Sequence, residues 1–213
     1  MCGRYQVMDE ENHAEFKKII DEVNRRYYGT EAQTAMATGE IFPTNIAPVL
    51  LSSGPKPMKW GFPAVHGSTR PVINARQETA STSPYFANAL ANRRIVIPTS
   101  GFYEWMHDAK TRKATDKFRF TLTDEPILYL AGMYSVFPLP DGKREERFTI
   151  LTTAANTEMM KYHDRMPVYL KKAEIEPWMN DYLCVNDIMK RSQPTLFAKS
   201  MSTPKPQQMN MFS

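Results

Sequence analysis

Long apolar runs, paired cysteines and clustered histidines are all missing from this 213-residue chain. No stretch approaches the roughly 18 apolar residues that a membrane-crossing helix needs, so no membrane association is expected. The start, MCGRYQV, lacks the basic segment and apolar stretch of a secretory signal, and a cytoplasmic location is the expectation. With only Cys2 and Cys184, a disulfide framework is excluded and a reducing compartment fits. The four histidines (His13, His66, His107 and His163) are scattered without paired ligand spacing, so neither a structural metal nor a cofactor is expected. No internal repeat is visible.

What is present describes a globular protein. Hydrophobic residues make up 42% and charged residues 23%, and the length suits one sizeable core. We read residues 1–203 as a single domain and residues 204–213 as an exposed tail. A net charge of +4 permits an anionic partner. The basic pairs, such as Lys17-Lys18 and Arg93-Arg94, are interspersed with acids, and each alone describes a solvated surface better than a nucleic-acid patch.

A short strand through Arg4 to Val7 precedes one amphipathic helix, Asp9 to Tyr28, in which Phe16, Ile19, Ile20, Val23 and Tyr27 recur at helical spacing. Asp9 suits its N-cap and Gly29 its stop. An irregular segment follows, with Pro43 and Pro48 bracketing a loop, PTNIAP. Short β-like runs then succeed one another: VLLS, MKWGF, PVIN, RIVIP, FYEW, FRFTLT, ILYLAGMYSV and RFTILTT. So many short strands without regular helices between them predict an antiparallel sheet or barrel. Small helices are expected near Pro84–Leu90, with Ser83-Pro84 as N-cap and N1, and near Thr157–Tyr162, Ala173–Trp178 and Val185–Arg191.

Cys2 carries the most specific chemistry. Removal of Met1 would leave an α-amine and a thiol on adjacent carbons of one residue. An α-amine of pKa about 7.7 to 8.0 is substantially neutral at physiological pH and attacks an aldehyde to give an imine. The thiol, of pKa about 8.5, then adds and closes a five-membered thiazolidine. On position alone, the better reading of Cys2 is an ordinary small residue at a start codon.

Four further segments offer partners. In GFYEW (101–105), Glu104 sits among aromatics, where burial raises a carboxyl pKa toward the range of a general acid or base; an alternating strand with Glu104 facing water is the competing reading. In HDRMP (163–167), His163 could shuttle protons and Arg165 could grip a phosphate, or the pair could be a surface salt bridge. In NARQET (74–79), Asn74 could orient a polar substrate and Arg76 its phosphate. Gly3 admits close backbone approach, and Arg4 brings positive charge beside the nucleophile.

Taken together, CGR at 2–4, WGF at 60–62, NARQET, GFYEW and HDRMP resemble the SOS-response-associated peptidase (SRAP) family, in the same order and across essentially the whole chain. The resemblance implies an α+β fold around a twisted antiparallel barrel-like sheet with flanking short helices. It also implies shielding of abasic sites in single-stranded DNA by a covalent crosslink through the exposed Cys2, nucleoid-associated when bound. Under it Cys2 is the nucleophile and Asn74 orients the opened sugar or holds the N-terminal residue. Glu104 assists proton transfer, and His163 helps open the deoxyribose or reverse the linkage. Arg4, Arg76 and Arg165 contact phosphates, with Trp105 as a stacking or wedge residue. Trp60 of the WG pair, and Asn45 and Pro48 of the PTNIAP loop, fall at DNA-proximal positions. The chain departs from the family where FPAVHGSTRP follows the WG pair without a tryptophan. Two other activities remain open: a thiol peptidase that removes its own Met1, and a noncovalent module for single-stranded DNA.

The tail adds one expectation. Gln208, Met209, Met211 and Phe212 resemble the pentapeptide that binds bacterial sliding clamps, a short segment with apolar anchors suited to folding onto a hydrophobic pocket.

Overall fold

The structure is a computed structural model that describes residues 2–7, 13–65, 67–107, 110, 111 and 113–202. The expected N-cap at Asp9 and the clamp-like tail lie outside the described residues. The first half of the chain forms β1 (Arg4–Val7), α1 (His13–Arg26), α2 (Glu31–Thr34), β2 (Gly39–Ile41), β3 (Ile46–Leu51), β4 (Gly54–Trp60), β5 (Asn74–Arg76), α3 (Gln77–Ala80), α4 (Ala87–Asn92) and β6 (Arg94–Thr99). The second half adds β7 (Gly101–His107), β8 (Ala114–Thr121), β9 (Leu128–Pro138), β10 (Arg144–Ala154), β11 (Arg165–Pro167), β12 (Tyr169–Leu170), α5 (Ile175–Asn180), α6 (Val185–Lys190) and β13 (Phe197–Ser200).

The architecture is α+β around a closed barrel. Strands β10, β4, β3, β6 and β9 pair in that order, and β9 pairs back onto β10. The pairings are antiparallel except where β4 meets β10, with Lys59 opposite Arg147 and Trp60 opposite Phe148 in parallel register. β5 also runs parallel to β10. These two parallel contacts are exceptions in an otherwise antiparallel barrel sheet, and they leave β10 with four neighbours along its eleven residues. A second sheet, in the order β13-β8-β7-β1-β2, packs beside the barrel.

Apolar alternation sets which side of each strand faces in. Trp60 is fully buried, with Tyr5 edge-on at 5.1 Å and Phe148 stacked at 6.3 Å between ring centroids. Each such ring contributes about 1.5 to 3 kcal/mol by leaving water. At Gly132 the barrel interior has no room for a side chain: a Cβ would run into Ile97 and come within 2.9 Å of the Thr149 carbonyl. α1 buries Phe16 and Val23, seven residues apart on one helical stripe, against this assembly.

Several local expectations are corrected. Pro48 lies inside β3, not in a loop, directly opposite Pro57 of β4. Two prolines facing each other occupy a register position where neither needs to donate across the ladder. α4 starts at Ala87, and Ser83-Pro84 instead make the turn before it, with Ser83 O accepting from both Phe86 N and Ala87 N. Thr157–Tyr162 contains only a single 3-10 turn, Met159–Lys161. The NARQET segment divides between β5 and α3, with Asn74 and Arg76 both on the strand.

Candidate active site at the start of the chain

Backbone pairing brings the site together. β1 runs antiparallel to β7 with Arg4 opposite Tyr103 and Tyr5 opposite Phe102. Alternation then separates two faces. Tyr5, Phe102 and Glu104 point inward, and Arg4, Tyr103 and Trp105 point outward. Glu104 pairs with Phe118 across β8 and is 4% exposed. Tyr162 packs on Phe118 and Phe120 at 4.8 and 5.0 Å, so the following residue, His163, arrives beside the same inner face.

Cys2 is fully buried, and its thiol donates a weak hydrogen bond to the Arg4 carbonyl at 3.7 Å. Burial pushes the thiol pKa far up, and the negative charge of Glu104 adds to the effect. The Cys2 carbonyl accepts from Asn74 Nδ2 at 3.0 Å, while Asn74 Oδ1 is buried and has no hydrogen-bond partner among the described residues. Asn74 reaches Cys2 because β5 lies on β10 with Asn74 beside Ile150. Four residues on, Ala154 of β10 pairs with Arg165 of β11, so the same strand also delivers the HDRMP segment.

Burial shifts the two titratable side chains in opposite directions. Burial raises the Glu104 carboxyl pKa, and the Asp164 carboxylate adds a smaller push in the same direction. Burial also lowers the His163 pKa, against the pull of Asp164. His163 Nδ1 accepts from the Arg165 amide at 2.9 Å and lies 2.8 Å from Asp164 Oδ1. One nitrogen cannot accept an N–H and donate to a carboxylate together. The lowered pKa favours the neutral ring with its proton on Nε2, and Asp164, mostly exposed, is free to turn to water.

The remaining predicted residues part company. Arg165 is buried and gives both arms of its guanidinium to Glu78, at 2.7 and 2.8 Å, and one also to the Thr152 carbonyl at 2.8 Å. Its fork is closed on protein acceptors, which corrects the expectation that it faces a phosphate. Arg76 is exposed at the end of β5 and is open to solvent. Trp60 is a core residue that donates through Nε1 to the Ile73 carbonyl at 3.0 Å, so it presents no surface to DNA. Asn45 caps the turn before β3 by accepting from Phe42 N at 2.9 Å, and Pro48 is buried in the barrel. Arg4 and Trp105 meet on the outer face, 5.0 Å from guanidinium carbon to ring. Among the described residues no group of three or more His, Cys, Asp and Glu is placed to hold a metal ion.

A sequence model of the SOS response associated peptidase (SRAP) family matches residues 1–205. The chain belongs to the SRAP family. Abasic site processing protein YoqW of Bacillus subtilis (strain 168) is 31% identical over 195 residues, covering 84% of this chain and 80% of its own length. Abasic site processing protein YedK of Escherichia coli (strain K12) is 31% identical over 123 residues, covering 58% of this chain and 54% of its own. A crystal structure of a Bacteroides thetaiotaomicron protein superposes with a TM-score of 0.74 at 20% identity, covering 94% of this chain and 92% of that one. One from Bordetella bronchiseptica gives 0.70 at 23%, covering 95% and 100%. These likenesses show that the SRAP chain has the fold of both.

Sequence reasoning missed Glu40 and Lys117, which join Arg4 and Trp105 on the outer face. They lie 77 positions apart on β2 and β8, and no local pattern links them. Tyr103, within the GFYEW motif, could have been found by alternation, since it shares a face with Trp105.

Proposed function

We propose that this SRAP chain recognises abasic sites in single-stranded DNA, in the cytoplasm, and shields them by covalent capture through Cys2 once Met1 is removed. The observation that carries the reading is the grip of Asn74 on the Cys2 carbonyl beside a buried Glu104. That arrangement fixes residue 2 relative to an acid of raised pKa. The names of the relatives support the substrate class, and the chemistry supports the linkage.

While Met1 is attached, the Cys2 nitrogen is an amide and not a nucleophile. Once free, the amine attacks C1′ of the ring-opened deoxyribose, forming a C–N bond and a carbinolamine. Glu104, as the acid, protonates the hydroxyl, which leaves as water and gives the iminium. The sulfur then bonds to C1′, and its proton returns to the Glu104 carboxylate. The sum is aldehyde plus aminothiol to thiazolidine plus water. A thiol held protonated by burial suits this order, because it loses its proton only as it adds. Neutral His163, with its proton on Nε2, is suited to moving a proton as the hemiacetal opens.

Intact mass spectrometry of the protein with an abasic single-stranded oligonucleotide tests the reading. The expected product is the Met1-free chain plus the oligonucleotide minus one water. An adduct that persists when the α-amine is acetylated would refute thiazolidine formation. Binding without any adduct, unchanged in Cys2→Ala, would leave a noncovalent module.

A further inference from the structure

The outer face of the second sheet holds an anion between two cations. Glu40 Oε1 accepts from Arg4 Nη1 at 3.1 Å, and Lys117 Nζ donates to both carboxylate oxygens at 2.7 and 2.8 Å. In the order β8-β7-β1-β2, Lys117 and Glu40 sit on the outer two strands, so their side chains reach toward each other across β7 and β1. Beneath this bridge lie rings. Lys117 Nζ is 4.0 Å from the Tyr103 ring centre and 5.5 Å from that of Trp105, and the Arg4 guanidinium is 4.3 Å from Phe42 and 5.0 Å from Trp105. The three charged side chains keep 25 to 37% of their surface in solvent, so an incoming group can reach them.

Two cations over a row of aromatic rings are what a single strand requires: faces for its bases and positive charge for its backbone. A carboxylate bridging Arg and Lys offers the same pair of acceptor oxygens as the non-bridging oxygens of a phosphodiester. Ion pairs this open to water exchange readily.

We propose that Glu40 is a built-in stand-in for a backbone phosphate, which holds Arg4 and Lys117 over the Trp105 face until a phosphate of the strand displaces it. This rests on the reading that a single strand is the substrate. Glu40 then sets affinity: it keeps the cations ordered, and it makes each strand compete for them. It also lowers the number of ions released on binding.

The test is fluorescence anisotropy of an unmodified single-stranded oligonucleotide with the full chain, Glu40→Gln and Lys117→Met. Glu40→Gln is expected to bind about three- to fivefold more tightly at low salt, with the slope of log K against log salt steeper by about 0.7. Lys117→Met is expected to bind more weakly, and in that background the gain from Glu40→Gln is expected to shrink. Unchanged or weaker binding by Glu40→Gln would overturn the proposal, leaving Glu40 a clamp for the edge strand. An equal gain in both backgrounds would also overturn it, since that is a long-range field and not displacement. Adduct formation on abasic DNA, measured in parallel at saturating protein, separates the two readings. An adduct without the affinity gain sinks only the stand-in, and a gain without an adduct sinks only covalent capture.

Discussion

Asn74 Nδ2 donates to the Cys2 carbonyl at 3.0 Å, linking the start of β5 to a residue 72 positions earlier in the chain. This bond fixes where the α-amine and thiol of residue 2 point. Asn74→Asp replaces the donor by an acceptor and sets two oxygens against each other. A loss of about tenfold or more in the rate of adduct formation is expected, with affinity for an unmodified strand retained. Single-turnover crosslinking beside anisotropy distinguishes the two; equal losses in both would assign Asn74 to strand binding.

Glu104 predicts a pH dependence of stability. Its folded pKa is raised above the ordinary 4.5, chiefly by burial, so the protonated carboxyl is the form the fold prefers. Its contribution is fully present below the unfolded value and is lost as pH rises through the folded one. Glu104→Gln removes this penalty. Its melting temperature relative to the wild type is expected to rise as pH increases above the ordinary carboxyl value of 4.5, while crosslinking falls. A melting difference that does not change with pH would mean that Glu104 is solvated.

How far the sequence carried this reading depends on range. RIVIP, FRFTLT and ILYLAGMYSV supply most of β6, the second half of β8 and the greater part of β9, because an apolar-rich run between turns is a local property. Barrel closure is not local: nothing in RFTILTT says that β4 and β5 will lie parallel on it. The site divides the same way. Cys2, Glu104, His163 and Asn74 were legible as residue types suited to one chemistry. The partner that closes the Arg165 fork, Glu78, lies 87 positions away, and only the pairing of β5 and β11 on one strand brings them together.

Arg165 and Arg76 are therefore expected to behave differently. Arg165→Ala leaves Glu78 without its bidentate partner and empties a buried position. A destabilisation of about 1 to 3 kcal/mol is expected, below the cost for a wholly buried pair because Glu78 is half exposed. Arg76→Ala removes an exposed side chain, so the melting temperature should hold while the salt slope of strand binding falls by about 0.7. Thermal melts and salt titrations of both variants decide this. An Arg165→Ala protein that melts normally but binds weakly would return Arg165 to the phosphate role.

Two of the three tryptophans, Trp60 and Trp105, offer the sharpest contrast, since both stand in short aromatic motifs and only burial tells them apart. Trp60 is enclosed by Tyr5 and Phe148, and its Nε1 is satisfied by the Ile73 carbonyl. Trp60→Ala is expected to cost about 3 to 5 kcal/mol of stability through the cavity it leaves. Trp105 lies half-buried on the outer face between Arg4 and Lys117. Trp105→Ala is expected to change stability by about 0.5 kcal/mol or less and to cost about 1 to 3 kcal/mol in strand affinity. Denaturant unfolding and anisotropy on the same preparations check both halves. Loss of strand binding by a folded Trp60 variant such as Trp60→Phe, with Trp105→Ala unaffected, would move the strand from the outer face of the second sheet to the barrel.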